Sequence, residues 1–150
     1  MKNSGSTSDF IADRDRELHA SFMHVLRTAT DMPLRRMFGA AARRPASRFW
    51  VSETRAAIVI SAMMRGCAPE RMYRKRKEMY DELCRRVTEK MGLDPGLCLQ
   101  HAVNEAVYEE APEFYLTDES ARSIIYRMRQ RRRRMQELRR ALDLKRKTKN

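Results

Sequence analysis

The sequence predicts an all-α protein: two tandem three-helix units followed by a long basic C-terminal helix. Three observations carry this expectation. Glycine and proline number only five each, while the good helix formers Ala, Arg, Met, Leu and Glu are abundant. The chain also says nearly the same thing twice, 65 residues apart, with Phe49-Trp50-Val51-Ser52-Glu53 answered by Phe114-Tyr115-Leu116-Thr117-Asp118. Finally, charge is gathered at one end. Of a formal net charge of +12, residues 127–150 hold twelve Lys/Arg against Glu137 and Asp143, so the preceding 126 residues balance twenty bases against eighteen acids.

The repeat runs beyond the aromatic motif. Leu34, Ala41 and Ala46 recur as Leu99, Ala106 and Ala111, and Ala56, Ile60 and Met63 as Ala121, Ile125 and Met128. That makes seven identities in the thirty pairs from Leu34/Leu99 to Met63/Met128. A repeat of this size is one supersecondary unit used twice.

Each element follows from local chemistry. Residues 1–8 read as a flexible lead-in, with Ser8 as an N-cap. A first helix over about 9–27 places Leu18, Phe22, Val25, Leu26 and Ala29 on one face, the spacing of an amphipathic helix. Asp31 and Pro33 stop it and start a short helix to about residue 44, burying Leu34, Met37, Phe38 and Ala41. Residues 45–51 break that helix, and Ser52 caps a third over about 53–65 with Ala56, Val59, Ile60 and Met63 inward.

Gly66-Cys67-Ala68-Pro69 connects to the second unit. Its first apolar stripe is Met72, Met79, Leu83, Val87 and Met91, ended by Gly92. Asp94-Pro95 opens the next helix, burying Leu97, Val103, Ala106 and Val107. Ala111-Pro112 breaks it, and Thr117 caps the last. The first helices match at an offset of 61, with four extra residues absorbed by the loop that follows. No Gly or Pro follows Asp118, so the last helix runs to about Lys145, roughly 40 Å at about 1.5 Å per residue. Repulsion within Arg131-Arg132-Arg133-Arg134 favours fraying of its end unless an anionic partner is bound. The expected organisation is therefore a lead-in at 1–8, units at 9–66 and 70–128, and a basic arm at 129–150.

Several functional classes find no support. No apolar run approaches the roughly 18 residues of a membrane span, and the first eight residues lack the apolar core of a signal peptide. Cys67, Cys84 and Cys98 have no CxxC spacing, which fits buried thiols in a reducing cytoplasm. His19, His24 and His101 are scattered, and neither a Ser/His/Asp arrangement nor a phosphate-binding glycine loop is present. Cys98 and His101 have a spacing suited to two zinc ligands, but the others would have to come from Cys84 or Cys67. No enzyme, cofactor or metal site is expected. The aromatic turns are expected to plug a small core, since the repeat keeps them in place; base stacking is the competing role.

Three helices with a break before a capped third helix resemble helix-turn-helix and Myb-like DNA-binding modules, here in tandem. In that family the third helix enters the major groove. The resemblance implies that Arg48 and Arg55 stand at or near the start of a recognition helix, with Arg35, Arg36, Arg43 and Arg44 toward phosphate. The chain also resembles small basic proteins of bacterial chromosomes and mobile elements that share the F-[WY]-[VL]-[ST] pattern; that resemblance supplies no activity.

The two units are unequal. Residues 13–66 carry ten bases and five acids, whereas 75–128 carry eight bases and eleven acids, with Glu109, Glu110, Glu113, Asp118 and Glu119 around the second turn. The expectation is thus a cytoplasmic, non-catalytic nucleic-acid-binding protein acting on double-stranded DNA, in transcription control or mobile-element DNA handling. The first unit docks, and the arm residues Arg127, Arg131, Arg132, Arg133, Arg134, Arg139, Arg140, Lys145, Arg146 and Lys147 clamp phosphate. The second unit and the C-terminal helix would serve packing, a protein partner or self-association. An arginine-rich RNA- or ribosome-binding arm, or a helical adaptor pairing through Met135, Leu138 and Leu142, are the alternatives.

Overall fold

The computed structural model describes residues 7–149, with side chains from Phe10 onward. Among them the protein is all-α. It has six helices: α1 (Thr7–Thr28), α2 (Leu34–Ala42), α3 (Glu53–Met64), α4 (Arg74–Leu93), α5 (Leu99–Val107) and α6 (Asp118–Thr148). Most of the expected lead-in lies outside the described residues. Ser8, read as an N-cap, instead falls inside α1.

Local rules account for most of the helix ends. The Ser52 hydroxyl accepts from the Arg55 N–H at 3.1 Å, capping α3. The same helix stops at Gly66, whose φ of +74° suits glycine. There the Gly66 and Cys67 N–H groups donate to the Met63 and Ala62 carbonyls at 3.1 and 2.8 Å, closing a Schellman turn. Asp94-Pro95 does not open α5 as expected. Asp94 Oδ1 accepts from the Gly96 N–H at 3.1 Å, the Asp94 carbonyl accepts from Leu97 at 3.0 Å, and the helix starts only at Leu99. The side chain completes a turn before a helix can begin.

The helices form two compact units, and these differ from the repeat boundaries. One comprises Met1–Ala41 with Asp118–Asn150, the other Ala42–Thr117. Each is three-helical, but each takes its third helix from the other repeat: α6 joins α1 and α2, and α3 joins α4 and α5.

In the first of these units α1 packs on α6. Phe22 stacks on Phe38 with ring centroids 5.1 Å apart, and Phe38 meets Tyr126 at 5.6 Å. The Ser21 hydroxyl donates to the Ala41 carbonyl at 2.8 Å, and Ala121, Ile124 and Ile125 bury the start of α6. Leu26 and Leu34, expected inside, are 38% and 50% exposed. Gly39 lies so close to Asp118 that a Cβ there would clash with the carboxylate.

In the second unit α3 packs on both α4 and α5. The segments after α2 and after α5 cross antiparallel through an isolated bridge between Ala46 and Ala111. Ala46 and Ala111 exchange N–H···O bonds of 3.0 and 2.9 Å, while Phe49 donates to Val107 at 2.9 Å and Phe114 to Ala42 at 2.8 Å. The 65-residue offset maps each bond of this set onto another, Ala46 onto Ala111, Phe49 onto Phe114 and Ala42 onto Val107, so the crossing has a local two-fold relation. Phe49 and Phe114 are buried, as expected of core plugs. Phe49 stacks on Tyr115 at 6.1 Å and carries the Arg86 guanidinium 4.9 Å from its ring centre. Tyr115 holds a left-handed φ of +55°, a conformation that costs an ordinary residue about 1–2 kcal/mol.

Two stability outcomes follow. Phe49→Ala removes a fully buried ring at the crossing and is expected to cost about 3–5 kcal/mol, read as a sharp loss of melting temperature. A variant that melts like wild type yet loses binding would make the ring a ligand contact instead. Gly39→Ala, which in a free helix gains up to about 1 kcal/mol, is expected to destabilise by about 1–3 kcal/mol by overpacking. In an Asp118→Ala background the same change should become neutral or stabilising in denaturant titrations; a clash relieved by neither change would refute the close approach.

Candidate nucleic-acid interface

The arm is the distal part of α6. Burial of Ala121, Ile124 and Ile125 anchors the helix, and from Arg129 to Lys149 every residue is exposed. Arg127, Arg131, Arg132, Arg133, Arg134, Arg139, Arg140, Lys145, Arg146 and Lys147 all lie on this helix, and none enters an ion pair among the described residues. The helix is continuous through Thr148, three residues past the expected end. Acids in its first turn and Lys145, Arg146 and Lys147 in its last match the helix dipole at both ends.

Alongside, the Arg129 guanidinium lies 5.6 Å from the Phe22 ring centre, and His19 feels Arg132 and Arg129. That order makes α1 and α6 antiparallel. A groove of about 500 Å³ opens between them, lined by Ala12, Asp15, Arg16, Met128, Arg131, Arg132, Met135, Gln136 and Arg139. Its floor is apolar and four arginines ring it. Asp15 is held by Arg14 at 3.0 Å and Asp13 pairs with Arg16. Burial, then Arg132 and Arg129, hold the His19 imidazole below its usual titration range.

The other expected contacts divide between the units. Arg35 and Arg36 are exposed at the start of α2, in the same unit as the arm. Arg43 is exposed, Arg44 half-buried, and Arg55 exposed on the first turn of α3, all in the second unit. Arg48 is turned inward. Its guanidinium donates to the Phe49 and Val51 carbonyls at 3.1 and 2.9 Å, and lies over the Trp50 and Tyr108 rings at 5.1 and 4.4 Å. A side chain held on four sides braces the aromatic turn rather than reaching a ligand.

The acids of the second unit are largely neutralised by α4. Glu109 pairs with Arg86 at 3.5 Å and with Lys90 at 2.7 Å, and Glu113 with Lys75 at 2.9 Å. Hydrogen bonds from Arg85 and then Arg86 hold the Glu82 carboxyl at about 2, against the opposing pull of burial. The bond to Glu109 raises Lys90, and the bond to Glu113 raises Lys75. These carboxylates therefore present less repulsion to phosphate than their number suggests.

The thiols also differ from expectation: Cys67 and Cys98 are exposed and Cys84 is half-buried. Loops and a helix start, rather than a core, receive the first two. No group of three or more His, Cys, Asp or Glu side chains among the described residues is placed to hold a metal ion. No helix there is long and apolar enough to cross a membrane. A second exposed cationic cluster, absent from the sequence-based set, spans residues 71–77. Its signal in the sequence is Arg71-Met72-Tyr73-Arg74-Lys75-Arg76-Lys77, five bases in seven positions.

His19 gives the arm a reporter. Its folded pKa lies below 6.5, so the stabilisation from its neutral ring is complete above that value and is lost as pH falls through the folded pKa. Phosphates seated on Arg129 and Arg132 would cancel the repulsion that keeps the ring neutral. An NMR titration of His19 is expected to give a pKa below 6.5 for the free protein and a higher one with saturating nucleic acid; an unchanged value would place the ligand elsewhere. No protein family, no curated protein and no solved structure matches this chain, and the interface rests on its own geometry.

Proposed function

We propose that this chain is a non-catalytic nucleic-acid-binding protein whose ligand is double-stranded DNA, in transcription control or mobile-element DNA handling. The observation that carries the reading is α6: a 31-residue helix whose distal arginines and lysines are exposed and lack carboxylate partners among the described residues. A phosphate backbone is the natural counterpart of such a row of cations, since each phosphate neutralised releases counterions. Helix geometry favours duplex DNA over duplex RNA. The major groove of B-DNA, about 12 Å wide, admits an α-helix, whereas the A-form groove is too narrow. Arg35 and Arg36 add phosphate contacts in the same unit, and Arg55 stands as the reader at the start of α3. Arg48 leaves the set, because its guanidinium is occupied.

A second reading, a helical partner, is favoured by one observation. Met135, Leu138 and Leu142 form an apolar seam on α6 and are 54%, 58% and 58% exposed. Their spacing of three and four residues is that of helix pairing.

Binding is expected to be largely electrostatic. If about six to eight phosphates are engaged, log K should fall with log salt at a slope of roughly −5 to −7. Truncation before Arg131 should cut both affinity and slope. Arg55→Ala should cost about 1–3 kcal/mol on a selected site and far less on random duplex, whereas Arg133→Ala should weaken both alike. Salt-independent binding rejects the arm. A selection that yields no preferred sequence rejects Arg55 as a reader, and stronger binding to RNA reverses the choice of ligand.

A further inference from the structure

We infer that Arg71, Tyr73, Arg74, Arg76 and Lys77 form a second nucleic-acid contact, one that takes unpaired bases of a single strand. The inference rests on the nucleic-acid reading above but uses different residues, in the unit built from α3, α4 and α5. Tyr73 is 85% exposed, the most exposed of the large apolar side chains among the described residues. It stands immediately before α4, with Arg76 and Lys77 three and four residues on, so the ring and both cations lie on one side of the helix. Arg71, Arg76 and Lys77 are exposed and enter no ion pair among the described residues. Arg74 has only an exposed link to Glu78 at 3.2 Å, its own side chain 91% exposed. Lys75 differs: it turns inward to Glu113 and Glu78, at 2.9 and 3.5 Å, and fixes the run to the body of the unit.

This stretch is a poor one for helix stability alone. Tyr73 occupies the N-cap position without a side-chain cap bond, and the first turn of α4 holds no acid. Four consecutive bases, 74–77, instead crowd the positive end of the helix dipole. By contrast α3 opens with Ser52 and Glu53, and α6 with Asp118 and Glu119. A local departure from capping and charge rules, offset among the described residues only by the pairs of Arg74 and Lys75 with Glu78 and Glu113, is what a ligand-binding segment shows.

The chemistry of the patch selects its ligand. Cations spaced along a short segment suit phosphodiesters, and the projecting ring needs a flat apolar face to cover it. A duplex hides its base faces in the stack, while a single strand offers one at every nucleotide, and base–aromatic stacking tolerates any sequence. An anionic membrane would supply charge, but one tyrosine gives too little apolar surface for insertion.

The test uses the full chain, a labelled oligothymidylate of about 15 nucleotides and a duplex of the same length. Tyr73→Ala is expected to weaken the single strand roughly tenfold and the duplex less than about twofold, while Tyr73→Phe keeps wild-type binding to both. Replacing Arg71, Arg76 and Lys77 together by alanine should reduce the single-strand salt slope by about two. All these side chains are exposed, and unchanged melting temperatures would confirm that the fold is kept. Wild-type single-strand binding by Tyr73→Ala, or equal loss on both ligands, overturns the stacking contact. A wild-type protein that binds duplex but not oligothymidylate overturns this inference and leaves the arm reading intact. If the arm truncation binds duplex normally while the patch variants still lose the single strand, the arm reading fails and the patch stands. Loss of anionic-vesicle binding by the patch variants, together with loss of both nucleic acids, would assign the cations to a general polyanion surface and overturn it.

Discussion

The antiparallel crossing of the segments after α2 and α5 constrains everything built around it. Buried backbone N–H and C=O groups must find partners, and here four bonds between the two repeats, in two pairs related by the repeat offset, supply them. The crossing works only because the side chains at its centre are small. Ala46 and Ala111 are almost fully buried, and a residue at a directly paired position has its Cα only about 5.5 Å from its neighbour. Beyond the crossing α3 joins the first two helices of the second repeat, and α6 those of the first. Neither repeat closes its own core. The identities that survive between the repeats are accordingly concentrated where this exchange needs them: Ala41/Ala106, Ala46/Ala111, Phe49/Phe114, Ala56/Ala121 and Ile60/Ile125 are all buried.

The cations of the chain fall into two classes that composition alone does not separate. Arg85, Arg86 and Lys90 lie among Glu82, Glu89, Glu105 and Glu109 and form a surface network. Exposed pairs of this kind add little stability, about 0–1 kcal/mol each, but they remove both charges from competition for a ligand. The distal cations of α6, with Arg71, Arg76 and Lys77, have no such partners among the described residues. Which cations are left outside ion pairs is therefore set by where the carboxylates fall as much as by where the arginines fall. A stretch with more acids than bases over 75–128 thus still leaves Arg76 and Lys77 exposed and outside any ion pair among the described residues.

Much of the fold was legible in the sequence because periodicity records which residues are buried. Leu18, Phe22, Phe38, Ala56, Ile60, Leu83 and Val103 were all placed in the core by spacing, and the Ser52 cap by residue type. Periodicity does not record what a buried face packs against, so the exchange of α3 and α6 was invisible to it. Leu26 and Leu34 show the same limit: they keep the apolar spacing yet are exposed. The arm was legible as a block of like charge. Position near a helix start suggests Arg48 as a reader, while the engagement of its guanidinium with two carbonyls and two aromatic faces is a tertiary fact that position does not record. The 71–77 cluster was hidden by averaging charge over a whole repeat, with Arg71 and Arg74 falling ahead of the stretch counted.

The electrostatics of α6 tie its structure to the proposed ligand. Neighbouring arginines about 6 Å apart repel by about 0.7 kcal/mol in water, and Arg131-Arg132-Arg133-Arg134, with Arg127 and Arg129 one turn before, places several such pairs at spacings of three and four residues. The helix holds because its ends suit the dipole, its start is buried, and α1 runs beside it as far as the groove that includes Arg139. His19, kept neutral between α1 and these arginines, registers the same repulsion at a single titratable ring. A polyanion along this face would both supply attraction and remove a strain already present in the free protein. The cost of assembling the cations is met during folding by the apolar anchor, so binding need not order the helix again. A rigid, pre-charged helix of this kind keeps more of its electrostatic gain than a disordered basic tail, which must fold as it binds.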